Sequence, residues 1–218
     1  MSIALFDLDN TLIAGDSDHG WGEFLIAHNR VDPAYYKQMN DQFYQDYQNG
    51  RLDMNAYLEF ALQPLAQMDG EELAHLHQQF MAEMIAPMWL PRAEMLLQQH
   101  RQQGDLLIII TSTNRFVVEP ICQKLGADVI IATEPEQIGG RYTGKVSGVP
   151  SYKEGKVVRL NAWLSETGQN LAGSCFYSDS INDLPLLEIV DRPVAVDPCD
   201  QLRQVAQQRG WEIISLRD

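Results

Sequence analysis

Short, unbroken apolar runs recur along this chain at wide spacing: Ile3–Phe6, Leu106–Ile110, Ser174–Tyr177 and Pro193–Val196. Polar residues follow each run, and helical patterns fill most of the intervals. A strand that is apolar along its whole length must be covered on both faces, so the pattern predicts a parallel sheet in an α/β fold. Such sheets place ligands at the carboxyl ends of their strands. The residues found there, Asp7–Thr11, Thr111–Asn114 and Ser178–Asp183, are rich in Asp, Ser and Thr.

The interval between the first two runs is too long for one crossover. Within residues 14–90, aromatic and aliphatic side chains recur at helical spacing, as in Trp21, Phe24, Leu25 and in Tyr57, Leu58, Ala61, Leu62. The segment reads as a helical insert forming a separate small cap, which leaves residues 1–13 and 91–218 as the core. The core resumes with a helix over Arg92–Gln103, ended by Gly104. Glycines at 139, 140, 144 and 148 punctuate a short β-rich stretch, Ile138–Val149, that reads as a hairpin, and Gly210–Leu216 reads as a last strand.

Composition narrows the picture further. The 218 residues carry 30 Asp+Glu against 16 Lys+Arg, a formal charge of −14, which disfavours nucleic acid and anionic membranes as partners. Twelve of the acids, against three bases, lie in the insert. No apolar run reaches the roughly 18–20 residues of a membrane span. Acids occupy the opening residues, where a secretory signal would carry a basic patch, and the three cysteines (Cys122, Cys175, Cys199) are scattered. The expectation is a cytoplasmic protein, monomeric or homodimeric.

Phe6-Asp7-Leu8-Asp9-Asn10-Thr11-Leu12 sets two carboxylates two residues apart at the end of a buried strand. Aspartate also starts ordinary turns, but two crowded acids repel unless a cation joins them. Ser178-Asp179-Ser180-Ile181-Asn182-Asp183 adds two more acids, four apart and so on one face if a helix begins there; acids in a first turn also favour the helix dipole. Oxygen ligands with no clustered Cys or His suit Mg²⁺. Thr111 ends a strand, where it serves either a site or a helix N-cap, and Lys156 lies near the start of a helical run. None of the histidines follows a core strand; His19 alone is close to the first aspartate pair.

In this order the motifs resemble those of the haloacid dehalogenase-like hydrolases, specifically phosphatases with a helical cap inserted after the first motif. Asp7–Thr11 resembles the DxDxT motif, Thr111 the Ser/Thr motif, Lys156 the motif lysine, with Lys153 a nearby rival, and Ser178–Asp183 the GDxxxD-like motif. Ser178 stands where glycine is common, a departure expected to matter little. The resemblance implies a Rossmann-like core. It also implies Asp7 as nucleophile forming an aspartyl phosphate, Asp9 as acid and base, and Thr111 and Lys156 on the phosphoryl oxygens. Mg²⁺ would sit on Asp7, Asp179 and the Asp9 backbone carbonyl, with Asp183 in support. A phosphotransferase would share this machinery.

Within that family the capped branch resembles phosphoserine phosphatases, in which an acid after the first motif meets the substrate ammonium and a cap arginine meets its carboxylate. Asp16 takes the acid position, but Ala61 falls where the arginine belongs, and Arg51 is displaced. Ala14–Trp21 resembles a bacterial group of this branch described as histidinol-phosphatase-like. The expected substrate is therefore a small amino-alcohol phosphate such as L-histidinol phosphate, with phosphoserine the alternative. Asp16, Asp18, Trp21, Ser112 and Asn182 are its candidate contacts, and Trp21, Tyr35, Tyr36, Phe43 and Tyr47 offer stacking faces.

Overall fold

The computed structural model describes residues 2–217. The first apolar run forms β1 (Ile3–Phe6), in which Ile3 and Leu5 enter one buried cluster while Ala4 and Phe6 enter another on the opposite face. Helices α1 (Ser17–Ala27), α2 (Pro33–Gln48), α3 (Met54–Gln67) and α4 (Gly70–Phe80) follow. Each starts from an aspartate (Asp16, Asp32, Asp53, Asp69) whose carboxylate accepts backbone N–H groups of the first turn. These acids satisfy donors that a helix start leaves unpaired, which accounts for part of the segment's negative charge.

A π-helical turn (Met81–Ile85) and a 3-10 turn (Ala86–Met88) lead back to the sheet. There Ile13 bridges Trp89, and the Ala14 N–H donates to the Met88 carbonyl at 2.8 Å, so the helical segment leaves and returns at one point. Its apolar side chains, among them Trp21, Phe24, Leu62 and Phe80, belong to the same cluster as Phe6, Ile109 and Tyr177 of the strands.

Beyond it lie α5 (Pro91–Gln103), β2 (Leu106–Asn114), α6 (Arg115–Leu125), β3 (Val129–Ile138) and β4 (Arg141–Ser147). Then come α7 (Glu154–Thr167), β5 (Cys175–Ser178), α8 (Leu184–Leu187), β6 (Arg192–Val196), α9 (Asp200–Arg209) and β7 (Glu212–Ile214). The sheet runs β4-β3-β2-β1-β5-β6-β7, and all its pairings are parallel except β3 with β4. The architecture is an α/β Rossmann-like core with β1 at the centre.

Two details differ from the sequence expectation. The run Val129–Ala132 is a further parallel strand that continues without a break into the hairpin, whose turn is Gly139-Gly140 with φ of 60° and 79°. The hairpin therefore begins upstream of Ile138. In addition, β2 extends past its apolar run to Asn114, and its register with β3 shifts between Ile110 and Asn114. Such an irregularity re-aims side chains, here those of Thr111–Thr113 beside the end of β1.

Candidate active site

Phe6 pairs with Ile109 on one side and Tyr177 on the other, and the Asp7 N–H donates to the Tyr177 carbonyl at 2.9 Å. Asp7 thus emerges between the ends of β2 and β5, where the order of strands reverses. From α7, Lys156 reaches the same point, its Nζ 2.8 Å from Asp7 Oδ1 and 2.7 Å from Asp183 Oδ1. All three side chains are buried. Burial works against the lysine's charge, but Asp183 and Asp7 outweigh it and raise its pKa.

Thr11 links the first motif to the last. Its hydroxyl accepts from the Asp179 N–H at 3.1 Å and lies 3.2 Å from Asp179 Oδ1 and 3.4 Å from Asp7 Oδ2. Asp9 points elsewhere: Oδ1 accepts from the Ser17 N–H at 2.6 Å and Oδ2 from the Thr113 hydroxyl at 2.8 Å. Burial, then the charge of Asp16, pushes Asp9 up to about 7.

Asp179 and Asp183 do not share a helical face. The 3-10 turn begins only at Ile181, capped by Ser180, so Asp179 faces Thr11 while Asp183 turns to Lys156. Ser178, the departure from the glycine pattern, is fully buried and donates from Oγ to Asp183 Oδ2 at 2.7 Å. Both oxygens of Asp183 are therefore occupied. Thr11, Thr113 and Ser178 lie within the strand-end segments that the sequence marks, without roles of their own there, and Ser17 lies outside them; only the fold brings these hydroxyl residues onto the motif aspartates.

Above Asp7 and Asp9 lies a cavity walled by the helical segment. Its lining includes Asp16, Asp18, His19, Asn40, Phe43, Tyr44, Tyr47 and Tyr57, together with Ser112 and Thr113 of β2, and contains no lysine or arginine. Asp16 and Asp18 are half-buried, and burial is the main cause that pushes each up to about 7. His19 stacks on Tyr44 and approaches Asp41 through Nε2 at 3.1 Å.

The other residues that the sequence brings forward have varied surroundings. Trp21 packs with Phe24, Phe80 and Phe116 in the core because its neighbours on α1 and α4 are apolar, so it does not line the cavity. Tyr36 packs on Phe60, and Tyr35 is exposed. Thr111, at the end of the apolar run of β2, is buried, and its hydroxyl accepts from the Thr113 N–H at 3.2 Å. Asn182 spends its amide on the helical segment: Nδ2 donates to the Tyr47 carbonyl at 3.0 Å, and Oδ1 accepts from the Tyr152 hydroxyl at 3.4 Å. Lys153, the rival of Lys156, donates to the Gly50 carbonyl at 2.8 Å. Arg51 is exposed beside Asp46, and Ala61 is buried away from the cavity.

The donor set around Asp7 fits a hard divalent cation. Asp7, Asp9, Asp179 and Asp183 supply oxygens only, and Lys156 is the sole cation on them among the described residues. Burial, followed by the charges of Asp7 and Asp183, raises Asp179 well above the usual carboxylate range, a cost that a cation held between these acids would relieve. Oxygens of this kind suit Mg²⁺. On the helical segment, His19, Glu23 and Asp41 place ligand atoms within 4.8 Å of one another, but Lys37 already sits 3.5 Å from Glu23 and 3.1 Å from Asp41.

Comparison with known proteins gives a consistent result. The family described as haloacid dehalogenase-like hydrolase matches residues 4–188. A histidinol-phosphatase of Neisseria meningitidis is 49% identical over 99% of both chains. A phosphoserine phosphatase of Mycobacterium tuberculosis is 31% identical over 98% of this chain and 70% of its own length. A solved structure of a protein with unknown function from Bordetella pertussis superimposes with a TM-score of 0.93 at 45% identity, covering 99% of this chain and 98% of its own.

Proposed function

This chain belongs to the haloacid dehalogenase-like hydrolases, as a phosphatase of that family, and we propose that it hydrolyses a cationic amino-alcohol phosphate, L-histidinol phosphate above all, through an aspartyl phosphate on Asp7. The observation that carries the substrate choice is the cavity wall, where Asp16 and Asp18 face inward without a lysine or arginine among the lining residues. A half-buried carboxylate lacking a cation is costly, and a substrate ammonium would relieve that cost. A substrate carboxylate would meet these acids and no lysine or arginine among the lining residues. The N. meningitidis relative, by its name a histidinol-phosphatase, agrees with this reading.

In the first step an Asp7 carboxylate oxygen attacks phosphorus, and the ester P–O bond breaks. Asp9 gives its proton to the departing alkoxide; its two hydrogen bonds, from the Ser17 N–H and the Thr113 hydroxyl, hold it over the reacting bond. In the second step Asp9 takes a proton from water as that water attacks the aspartyl phosphate, and Asp7 is regenerated. Lys156 steadies Asp7 and balances charge on the phosphoryl oxygens. Mg²⁺, held by Asp7, Asp179 and the Asp9 carbonyl with Asp183 in support, would supply the charge that lets two anions meet. Ser112 and Thr113 line the cavity beside the phosphoryl position, and Asp16 receives the substrate ammonium.

Phosphate release with Mg²⁺ from L-histidinol phosphate and L-phosphoserine, compared by kcat/KM, tests the proposal. A preference of about 100-fold for L-histidinol phosphate, near 2.7 kcal/mol in the transition state, is expected. A preference for phosphoserine would overturn the substrate choice while leaving the phosphatase in place. Asp16→Ala should lower turnover of L-histidinol phosphate far more than turnover of p-nitrophenyl phosphate; equal losses would remove Asp16 from ammonium binding.

A further inference from the structure

Two different elements hold the Asp183 carboxylate. Its Oδ1 lies 2.7 Å from Lys156 Nζ on α7, and its Oδ2 accepts from the Ser178 hydroxyl at 2.7 Å. Ser178 is the last residue of β5, pairs with Ala195 of β6 and is fully buried, so its hydroxyl stands on the sheet itself. Asp183 ends the short 3-10 turn Ile181–Asp183. The same Ser178 oxygen accepts from the Ser180 N–H at 3.1 Å, so one hydroxyl donates and accepts across the loop. A hydroxyl this close to an ionised carboxylate makes a strong, directional bond. Glycine at this position would supply neither partner, and it would leave a carboxylate oxygen and a backbone donor unmatched in a buried place.

We infer that Ser178 is a positioning residue for the phosphoryl-transfer reaction: its hydroxyl fixes Asp183, and Asp183 so fixed holds Lys156 toward the transferring phosphoryl group. This inference rests on the proposed aspartyl-phosphate reading and deepens it. A lysine ammonium is a compact charge on a flexible stem, so its place follows its anionic neighbours. Here these are Asp7 Oδ1 at 2.8 Å and Asp183 Oδ1 at 2.7 Å. When an Asp7 oxygen bonds to phosphorus, Asp7 gives up its carboxylate charge. Of the two neighbours only Asp183 then keeps its own, and its aim is set by Ser178. Serine at this position is therefore not equivalent to glycine.

The test measures Ser178→Ala, Ser178→Gly, Asp183→Ala and the double variant Ser178→Ala with Asp183→Ala, each saturated with Mg²⁺. In the two Ser178 single variants kcat should fall about tenfold on both L-histidinol phosphate and p-nitrophenyl phosphate, with KM within about twofold. In the Asp183→Ala background, Ser178→Ala should change kcat by less than about twofold. A full loss in that background would mean that Ser178 only shapes the loop, and it overturns the inference. A Ser178→Gly enzyme with wild-type kcat overturns it as well. Mg²⁺ binding to the substrate-free protein, followed by calorimetry, should stay within about threefold in Ser178→Ala. A Kd that rises as far as kcat falls would move the role to the cation site and sink the assignment to Lys156. Where the double variant turns over too slowly to measure, thermal unfolding reads the same cycle: Ser178→Ala should lower the melting temperature of the wild type and leave that of Asp183→Ala unmoved. Failure of the underlying reading shows separately, as a Lys156→Ala enzyme with undiminished kcat.

Discussion

On the floor of the cavity Asp7 and Asp183 share the Lys156 ammonium at 2.8 and 2.7 Å, whereas on the wall Asp16 and Asp18 face tyrosines, with no lysine or arginine lining the space. Asp7 lines the same cavity as Asp16 and Asp18, with Asp183 and Lys156 beneath it, so the difference bears on what each set would meet. On the proposed reading the floor meets a phosphate, which every substrate of this kind brings, and it keeps Lys156 as a permanent cation to receive it. On the same reading the wall meets the part of the substrate that varies, and it leaves the cation to that substrate. Catalytic power and selectivity are, on this proposed reading, assigned to opposite sides, the first to strand ends and the second to inserted helices.

The sharpest way to break this division is at the floor. Asp7→Asn removes the proposed nucleophile while keeping its shape, and should abolish turnover of every phosphate ester alike, by about 10³-fold or more. Phosphate release from L-histidinol phosphate and p-nitrophenyl phosphate checks it. Survival of either activity would take Asp7 out of the covalent step.

Lys156→Ala comes next, because it removes the shared cation and leaves two buried acids facing each other. Losing one oriented charge-stabilising donor typically costs about 10²–10³ in kcat. Breaking a buried pair also destabilises the fold by roughly 3–5 kcal/mol, so a lowered melting temperature should accompany the loss of rate. Since the floor serves all substrates, the ratio of kcat/KM between L-histidinol phosphate and p-nitrophenyl phosphate should hardly move. A large change in that ratio would mean floor and wall are not separable.

The sequence displayed these two regions unequally. The floor was legible because its residues sit in short motifs at the ends of apolar strands, and register fixes where a strand end lies: once β1 pairs with β2 and β5, the strand ends that carry Asp7, Thr111 and Ser178 lie side by side. Lys156 against Lys153 was a question of spacing, and the α7 start turns the first toward Asp7 and the second toward Gly50. The wall was harder to read because helices α1–α3 carry aromatic residues on more than one face. Composition along the chain does not say that Trp21 turns to the core while Tyr57 turns to the cavity. The strand Val129–Ala132 escaped for a related reason, since it runs straight into a polar hairpin arm and has no turn to mark its end. Ser178 looked like a neutral replacement for glycine, and only the fold shows its hydroxyl on Asp183.

The smallest expected effect lies at the seam between floor and wall. Asn182, within the last motif, donates to the Tyr47 carbonyl at 3.0 Å, and Lys153 donates to the Gly50 carbonyl at 2.8 Å. Tyr47 lines the cavity, so these bonds join the catalytic loop to the end of α2 and set where that part of the wall stands. Each is a bond to a neutral carbonyl at a partly exposed site, contributing about 1 kcal/mol. Asn182→Ala combined with Lys153→Ala should therefore raise KM for L-histidinol phosphate by about five- to tenfold while kcat falls no more than about threefold. Limited proteolysis between α2 and α3, around Gly50, should become faster in the same variant, because the wall is then released more often. If kcat collapsed and KM held, Asn182 would act on the phosphoryl group itself, and the last motif would be part of the floor alone.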